Sequence, residues 1–265
     1  MLRTMDYTWK GLAPRFGHLT PDLVTVDTCR DYIAHRRQQV SDGTIHTELG
    51  HLSTVLNWAV KRELIDRAPH VERPAKPAPR DRWLTRKDAM KVIDAASFPH
   101  LRLSMILLVG TAARVGAILD LTWDRVDLER GQINLTRASD GAKRKQRATV
   151  PINGMVRAAL VEAQQGAVTD HVIEWSGKPV ASIKKGIAAA AKRAGVEGVS
   201  AHVFRHTAAV WMAEANVPMA RIAQYLGHRD SRVTERIYAR FAPDHLRDEA
   251  EILSLPIRAA SSFDQ

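Results

Sequence analysis

AHVFRHTAAVWMAEANVPMARIAQYLGHRDSRVTERIYARF, residues 201–241, is the stretch that decides the fold. Its apolar spacing predicts a helix through Phe204 to Ala215, a second from Pro218 to about Leu226 closed by Gly227, and a third containing Tyr238. His202 and Arg205 are three apart and share one side of a helical turn, His228 follows the helix-ending glycine, and Tyr238 comes ten residues later. Taken singly, each has a bland explanation: a satisfied structural histidine, or a tyrosine packed in a core between Ile237 and Ala239. Ala223, Gly227 and Val233 also carry the small-residue, turn-glycine and buried-aliphatic spacing of a helix-turn-helix DNA-binding motif.

Upstream of this stretch, IKKGIAAAAKRAG (residues 183–195) predicts a helix ended by Gly195. GQINLTRA from Gly131 and RATVPI from Arg147 are β-rich runs separated by SDGAKRKQ, and HVIEW from His171 is a candidate third strand of a small antiparallel sheet. Before them, LRLSMILLVGTAA (residues 101–113) is apolar enough for a central core helix. It is preceded by a helix capped by Thr85, with Ala89, Met90, Val92, Ile93 and Ala96 turned inward. Residues 66–82 hold Pro69, Pro74, Pro77 and Pro79, which remove backbone donors and disfavour helix, so they are expected to form an extended linker. The part before it is helical: CRDYIAHRRQQ, then TIHTELGHLSTVLNWAVKREL, where Leu49, Leu52, Val55, Leu56 and Ala59 recur on one face. The expected fold is mainly α with a small antiparallel β-sheet, in two domains, residues 1–78 and 79–265.

Composition narrows the function. The 265 residues carry 39 Lys+Arg against 29 Asp+Glu, a formal charge of +10 that points to a polyanionic partner, nucleic acid before an anionic membrane surface. Only 11 Lys+Arg and 9 Asp+Glu precede residue 80, leaving 28 and 20 after it, so the excess lies in the C-terminal part. Cys29 is the single cysteine, which excludes an internal disulfide and a cysteine-based zinc site. No apolar run approaches the ~18 residues needed to cross a bilayer, and MLRTMDYTWKGLAPRF lacks a signal-peptide core. The expectation is a soluble cytoplasmic protein, nucleoid-associated when bound to DNA.

Two further features carry charge into unusual places. Arg114 follows the apolar run Leu103 to Ala113, where a guanidinium is costly unless an anion or several acceptors meet it; bonding to helix-end carbonyls or snorkelling is the plainer account. Lys143, Arg144, Lys145 and Arg147 place four positive charges in five residues between two strands, suited either to a DNA groove or to a solvated turn. Together with the C-terminal stretch these match what metal-free phosphoryl transfer needs. Two arginine forks neutralise phosphate oxygens, a histidine takes the nucleophile's proton, a second donor supports the pentavalent charge, and a lysine protonates the leaving oxygen. A tyrosine with pKa about 10 needs such surroundings to attack at neutral pH.

In order and spacing, Arg114 in TAARVGAILDLTW, Lys143 before TVPI, HVFRH, LGH, and Tyr238 in TERIYARF resemble the tyrosine recombinases, or phage-type integrases. The resemblance covers about residues 82–241, and TIHTELGHLSTVLNWAVKREL with RWLT resembles that family's core-binding domain and its junction. It implies site-specific DNA cleavage and rejoining through a 3′-phosphotyrosine intermediate, without metal or other cofactor. Double-stranded DNA is the implied partner, with a homotetramer on paired sites. An accessory DNA-bending factor cannot be read from the residues, and integration or excision of a mobile element is a family-level expectation. By position Tyr238 would be the nucleophile, Arg114 and Arg205 the phosphate clamps, His202 the proton acceptor, His228 a phosphate donor and Lys143 the general acid, with Lys145 competing for that role. Arg144, Lys145 and Arg147 would contact DNA. Ala117 stands where the family usually has an acid, and the short N-terminal part gives the expectation that the additional arm-type DNA-binding domain of many integrases is absent. The tail from His245 to Leu255 has an amphipathic pattern suited to docking on a neighbouring protomer. The competing readings are a helix-turn-helix regulator and a recombinase fold that binds DNA without efficient cleavage; a type IB topoisomerase and a metal-dependent nuclease fit less of the pattern.

Overall fold

The computed structural model describes residues 2–77, 81–136, 148–228, 230–242 and 252–253. The chain divides into two compact units, Met1–Arg80 and Asp81–Gln265.

The first unit is built from α1 (Leu2–Phe16), α2 (Val26–Arg36) and α3 (Asp42–Lys61). A reciprocal capping box starts α2, with Thr25 and Thr28 each accepting from the other's backbone. Leu12, Phe16, Tyr32, Ile45, Leu49, Leu52 and Leu56 form its core. Val55, grouped by periodicity with the apolar face of α3, is 47% exposed, because that stripe is wider than the contact α1 and α2 supply. Within this core Glu48 is buried and fully engaged: Tyr32 Oη donates to Oε2 at 2.7 Å, and Arg36 donates to both carboxylate oxygens at 3.2 and 2.8 Å. The proline-rich stretch is less free than an extended linker, since Val71 is buried in this core and His46 Nδ1 lies 2.9 Å from Pro74 O.

The second unit is organised around α5 (Pro99–Thr111), nine of whose 13 residues are buried. It packs on α7 (Gly154–Gln165) and α9 (Ala201–Glu214), with α4 (Arg86–Asp94) and α8 (Lys184–Arg193) also in contact. Gly110 allows the approach to α7, because a Cβ there would stand 2.4 Å from Val156 Cγ2. Between α5 and α7 lie the short α6 (Val115–Leu119) and three strands, β1 (Val126–Asp127), β2 (Gln132–Asn134) and β3 (Thr149–Pro151), paired antiparallel in the order β1-β2-β3. HVIEW supplies β4 (Glu174–Trp175), which pairs with β5 (Lys178–Pro179) in a separate hairpin; β1 takes the third place in the sheet. Thr85 caps α4 as expected, but Met90 is 48% exposed, at the margin of the buried stripe made by Ala89, Val92 and Ile93.

Two helices complete the unit, α10 (Met219–Leu226) and α11 (Ser231–Tyr238). Gly227 at φ 63° ends α10, and His228 N returns to Ala223 O at 2.9 Å, a Schellman turn that fixes where His228 emerges. Val233 is 41% exposed on α11, so the buried aliphatic that a helix-turn-helix motif needs at that place is missing.

Removing one member of a buried ion pair leaves an uncompensated charge, costing about 3–5 kcal/mol. Glu48→Ala is expected to destabilise the first unit on that scale in denaturant melts of the full chain; a cost under ~1 kcal/mol would contradict the role of this carboxylate.

Candidate active site

The site lies where the C-terminal end of α5, the start of α6, and α9, α10 and α11 meet. α5 ends on Ala112 in the left-handed region, φ 50°, an uncommon conformation for a residue with a Cβ. This turn aims the Ala112 carbonyl inward and places Arg114 at the N-cap of α6.

Arg205, on α9, meets that carbonyl. It is 6% exposed; Nη1 donates to Ala112 O at 2.5 Å, and Nη2 donates to Leu226 O at 2.8 Å and contacts His228 Nε2 at 3.0 Å. Burial and then the neighbouring Arg114 charge lower its pKa to about 10, with Tyr238 acting the other way, so it stays cationic at neutral pH. Arg114 and Arg205 line one narrow cleft with Ala117, Tyr225 and Leu226. Two guanidiniums converging in a partly desolvated cleft make a site for an anion.

The contacts of His228 fix its tautomer. A guanidinium can only donate, so Nε2 accepts from Arg205 and the ring proton sits on Nδ1, which donates to Thr234 Oγ1 at 2.9 Å. Burial, then Arg205 and Arg114, lower the His228 pKa to about 4. His202, one turn before Arg205, keeps an exposed edge; the protein around its ring, then Arg205 and Arg114, hold its pKa below the ordinary value.

Tyr238 is 6% exposed near the C-terminal end of α11. Its Oη lies 3.2 Å from Nδ1 of His206, the rings 5.2 Å apart. Burial raises its pKa, and Arg205 partly offsets that. Tyr225 is occupied elsewhere, donating to Gly110 O at 2.9 Å. The structure thus brings Arg114, His202, Arg205, His228 and Tyr238 into one neighbourhood. Lys143, Arg144, Lys145 and Arg147 lie outside the described residues, as does the tail expected from His245 to Leu255 apart from Ile252 and Leu253. Ala117, which the sequence places where the resembled family usually has an acid, is buried at 2% exposure. His206, Thr234 and Asp81 escaped the sequence reading. Only His206 left a trace there, as the last residue of HVFRH, one helical turn from His202.

Residues 82–245 match the model of the phage integrase family, more than half of the chain, and the chain belongs to that family. It is 29% identical over 224 residues to the integrase of Salmonella phage P22, covering 78% of this chain and 57% of the phage protein. It is also 29% identical over 198 residues to the tyrosine recombinase XerA of Thermococcus kodakarensis, covering 71% of this chain and 68% of that protein. In fold it resembles the Tn1549 transposon integrase in complex with transposon right-end DNA, with TM-score 0.79 and 16% identity over 96% of this chain and 94% of that one. A lambda integrase tetramer bound to a Holliday junction gives TM-score 0.74 and 19% identity over 91% of this chain and 72% of that one. Among the described residues no helix is long and apolar enough to cross a membrane, and no group of three or more His, Cys, Asp or Glu is placed to hold a metal.

The depressed His228 pKa has a sign that can be measured. Between its ordinary value of 6.5 and about 4 the folded chain binds fewer protons than the unfolded one, so stability is lost as pH falls through that window. The thermal midpoint is expected to fall from pH 7 to pH 5, and His228→Asn to fall less; identical pH dependence in the two proteins would contradict this environment.

Proposed function

We propose that this chain is a site-specific DNA recombinase that cleaves and rejoins strands through a 3′-phosphotyrosine intermediate. The observation that carries this reading is the buried Arg205 guanidinium, held by two carbonyls and His228 beside Arg114, with the Tyr238 hydroxyl in the same neighbourhood.

Arg114 and Arg205 would bind the non-bridging oxygens of the scissile phosphate and neutralise charge that grows as the pentavalent transition state forms. The fork of Arg205 is orientated before DNA arrives, so little reorganisation remains at the moment of reaction. His202 and His228, both with lowered pKa values, are neutral at pH 7 and available as acceptors. His228 acts first by holding Arg205; it can donate to phosphate only after Nε2 is released from that contact and protonated. Tyr238 attacks phosphorus, the 5′ oxygen leaves with a proton from Lys143 or Lys145, and the phosphotyrosine link conserves the bond energy for rejoining.

Exchanging four strands requires four active sites, so the working state is a homotetramer on two duplex sites. The first unit serves as a core-binding domain, and Arg144, Lys145 and Arg147 add backbone contacts. The setting we propose is integration or excision of a mobile element in the cytoplasm. A second reading, DNA binding without efficient cleavage, is favoured by one observation: buried Ala117 supplies no carboxylate to support the arginines.

Nicked duplexes taken from DNA flanking the gene separate the two readings, because the short fragment released on cleavage diffuses away and traps the adduct. Wild type should form a heat- and detergent-resistant covalent adduct, Tyr238→Phe none, and Arg205→Ala about 10²–10³-fold less in rate. Specific binding by wild type without adduct would establish the binding-only reading.

A further inference from the structure

We propose that His206, backed by Asp81, is the base that takes the phenolic proton of Tyr238; this rests on the recombinase reading and deepens it. His206 directly follows Arg205 on α9 and is 9% exposed. Its Nδ1 is 3.2 Å from Tyr238 Oη, whereas no hydrogen bond joins His202 to Tyr238 among the described residues. A base must reach the proton it removes, and on that geometric test His206 is the histidine in place.

The other side of the ring is arranged for the same task. If Nδ1 accepts from the phenol, the ring proton is on Nε2. That nitrogen is buried, has no hydrogen-bond partner, and faces Asp81 Oδ1 at 3.7 Å. Arg240 Nη2 holds the same carboxylate oxygen at 2.6 Å. The segment carrying Asp81 is pinned to α9 three residues further on, at Leu84: Leu84 N donates to Thr207 Oγ1 at 3.0 Å and Trp211 Nε1 to Leu84 O at 3.1 Å. Tyr238 and Phe241 flank the imidazole, with centroids 5.2 and 6.2 Å away. An acid, a histidine and a hydroxyl nucleophile in line form a relay in which the carboxylate orients the ring and stabilises its cation.

The step balances without an added reactant. As Tyr238 Oη bonds to phosphorus, its proton passes to His206 Nδ1 and the imidazolium charge meets Asp81. The bond from phosphorus to the 5′ oxygen breaks with its electron pair on that oxygen, which is protonated by the general acid. On rejoining, the 5′ hydroxyl attacks phosphorus and returns its proton to the general acid, the bond from phosphorus to Tyr238 Oη breaks with its electron pair on Oη, and His206 gives the proton back to that phenolate. The charged and titratable groups facing His206 are Asp81, Arg240, His202 and Tyr238. Burial outweighs Asp81 and leaves the ring pKa below its ordinary value, so the base is neutral at pH 7.

The test is single-turnover adduct formation on the nicked duplex by the full chain, with DNA binding and thermal melting measured alongside. His206→Ala should slow the step by about 10²-fold or more while DNA binding persists. Free imidazole should restore part of the rate in a pH-dependent manner. Asp81→Asn, an isosteric change at a half-exposed position, should move the acid limb of the pH–rate profile to lower pH, since the imidazolium loses its counter-charge. If His206→Ala does not fold, His206→Gln and Asp81→Asn carry the test. Wild-type rates in the His206 variants, or slowed rates that imidazole leaves unchanged together with an unmoved profile in Asp81→Asn, would overturn the proposal while leaving the recombinase reading intact. No adduct from wild type would overturn both.

Discussion

The Arg205 guanidinium is the point from which the catalytic unit is assembled. It is buried, it cannot lose its proton at neutral pH, and its desolvation is offset by acceptors that come from separate elements: the Ala112 carbonyl after α5, the Leu226 carbonyl ending α10, and His228 beyond it. Each acceptor depends on a particular backbone feature. Ala112 adopts φ 50° to turn its carbonyl inward, and Gly227 makes the Schellman turn that delivers His228. A side chain on α9 that ties the ends of α5 and α10 together also shares a cleft with Arg114, at the next helix start.

That arrangement explains the state of the surrounding histidines. Positive charge and burial act in the same direction on His202 and His228, favouring neutral rings. Tyr238 experiences the opposite balance, since burial disfavours its phenolate while Arg205 favours it. Bound phosphate would reduce the net positive field and so raise the histidine pKa values when the substrate arrives. The cleft is therefore organised for an anion, with neutral histidines beside its two guanidiniums.

Much of this was legible in the residues. Thr85, Gly195 and Gly227 marked helix ends because capping is local chemistry, and the run from Leu101 to Ala113 declared a core helix by its apolarity. α1 and α7 were missed: Pro14 lies inside the first, and the second has a weakly apolar face beginning at Gly154. Met90 and Val55 show the limit of periodicity, which marks an apolar stripe but not how much of it a neighbour covers. Arg114, His202, Arg205, His228 and Tyr238, which the family resemblance singled out, lie near one another in the folded chain. Thr234 and Asp81 act through single contacts to residues far away in sequence or of no distinctive type, and only the folded chain brings Asp81 beside His206.

The proposed chemistry requires Arg114 and Arg205 to bind a phosphate in line with Tyr238. A crystal structure of the full chain on a nicked duplex with orthovanadate at the break tests it most directly. Vanadium is expected bonded to Tyr238 Oη, with its equatorial oxygens within hydrogen-bond distance of both guanidiniums. Vanadate bound away from Arg205, or bonded to a nucleophile other than Tyr238, would contradict it.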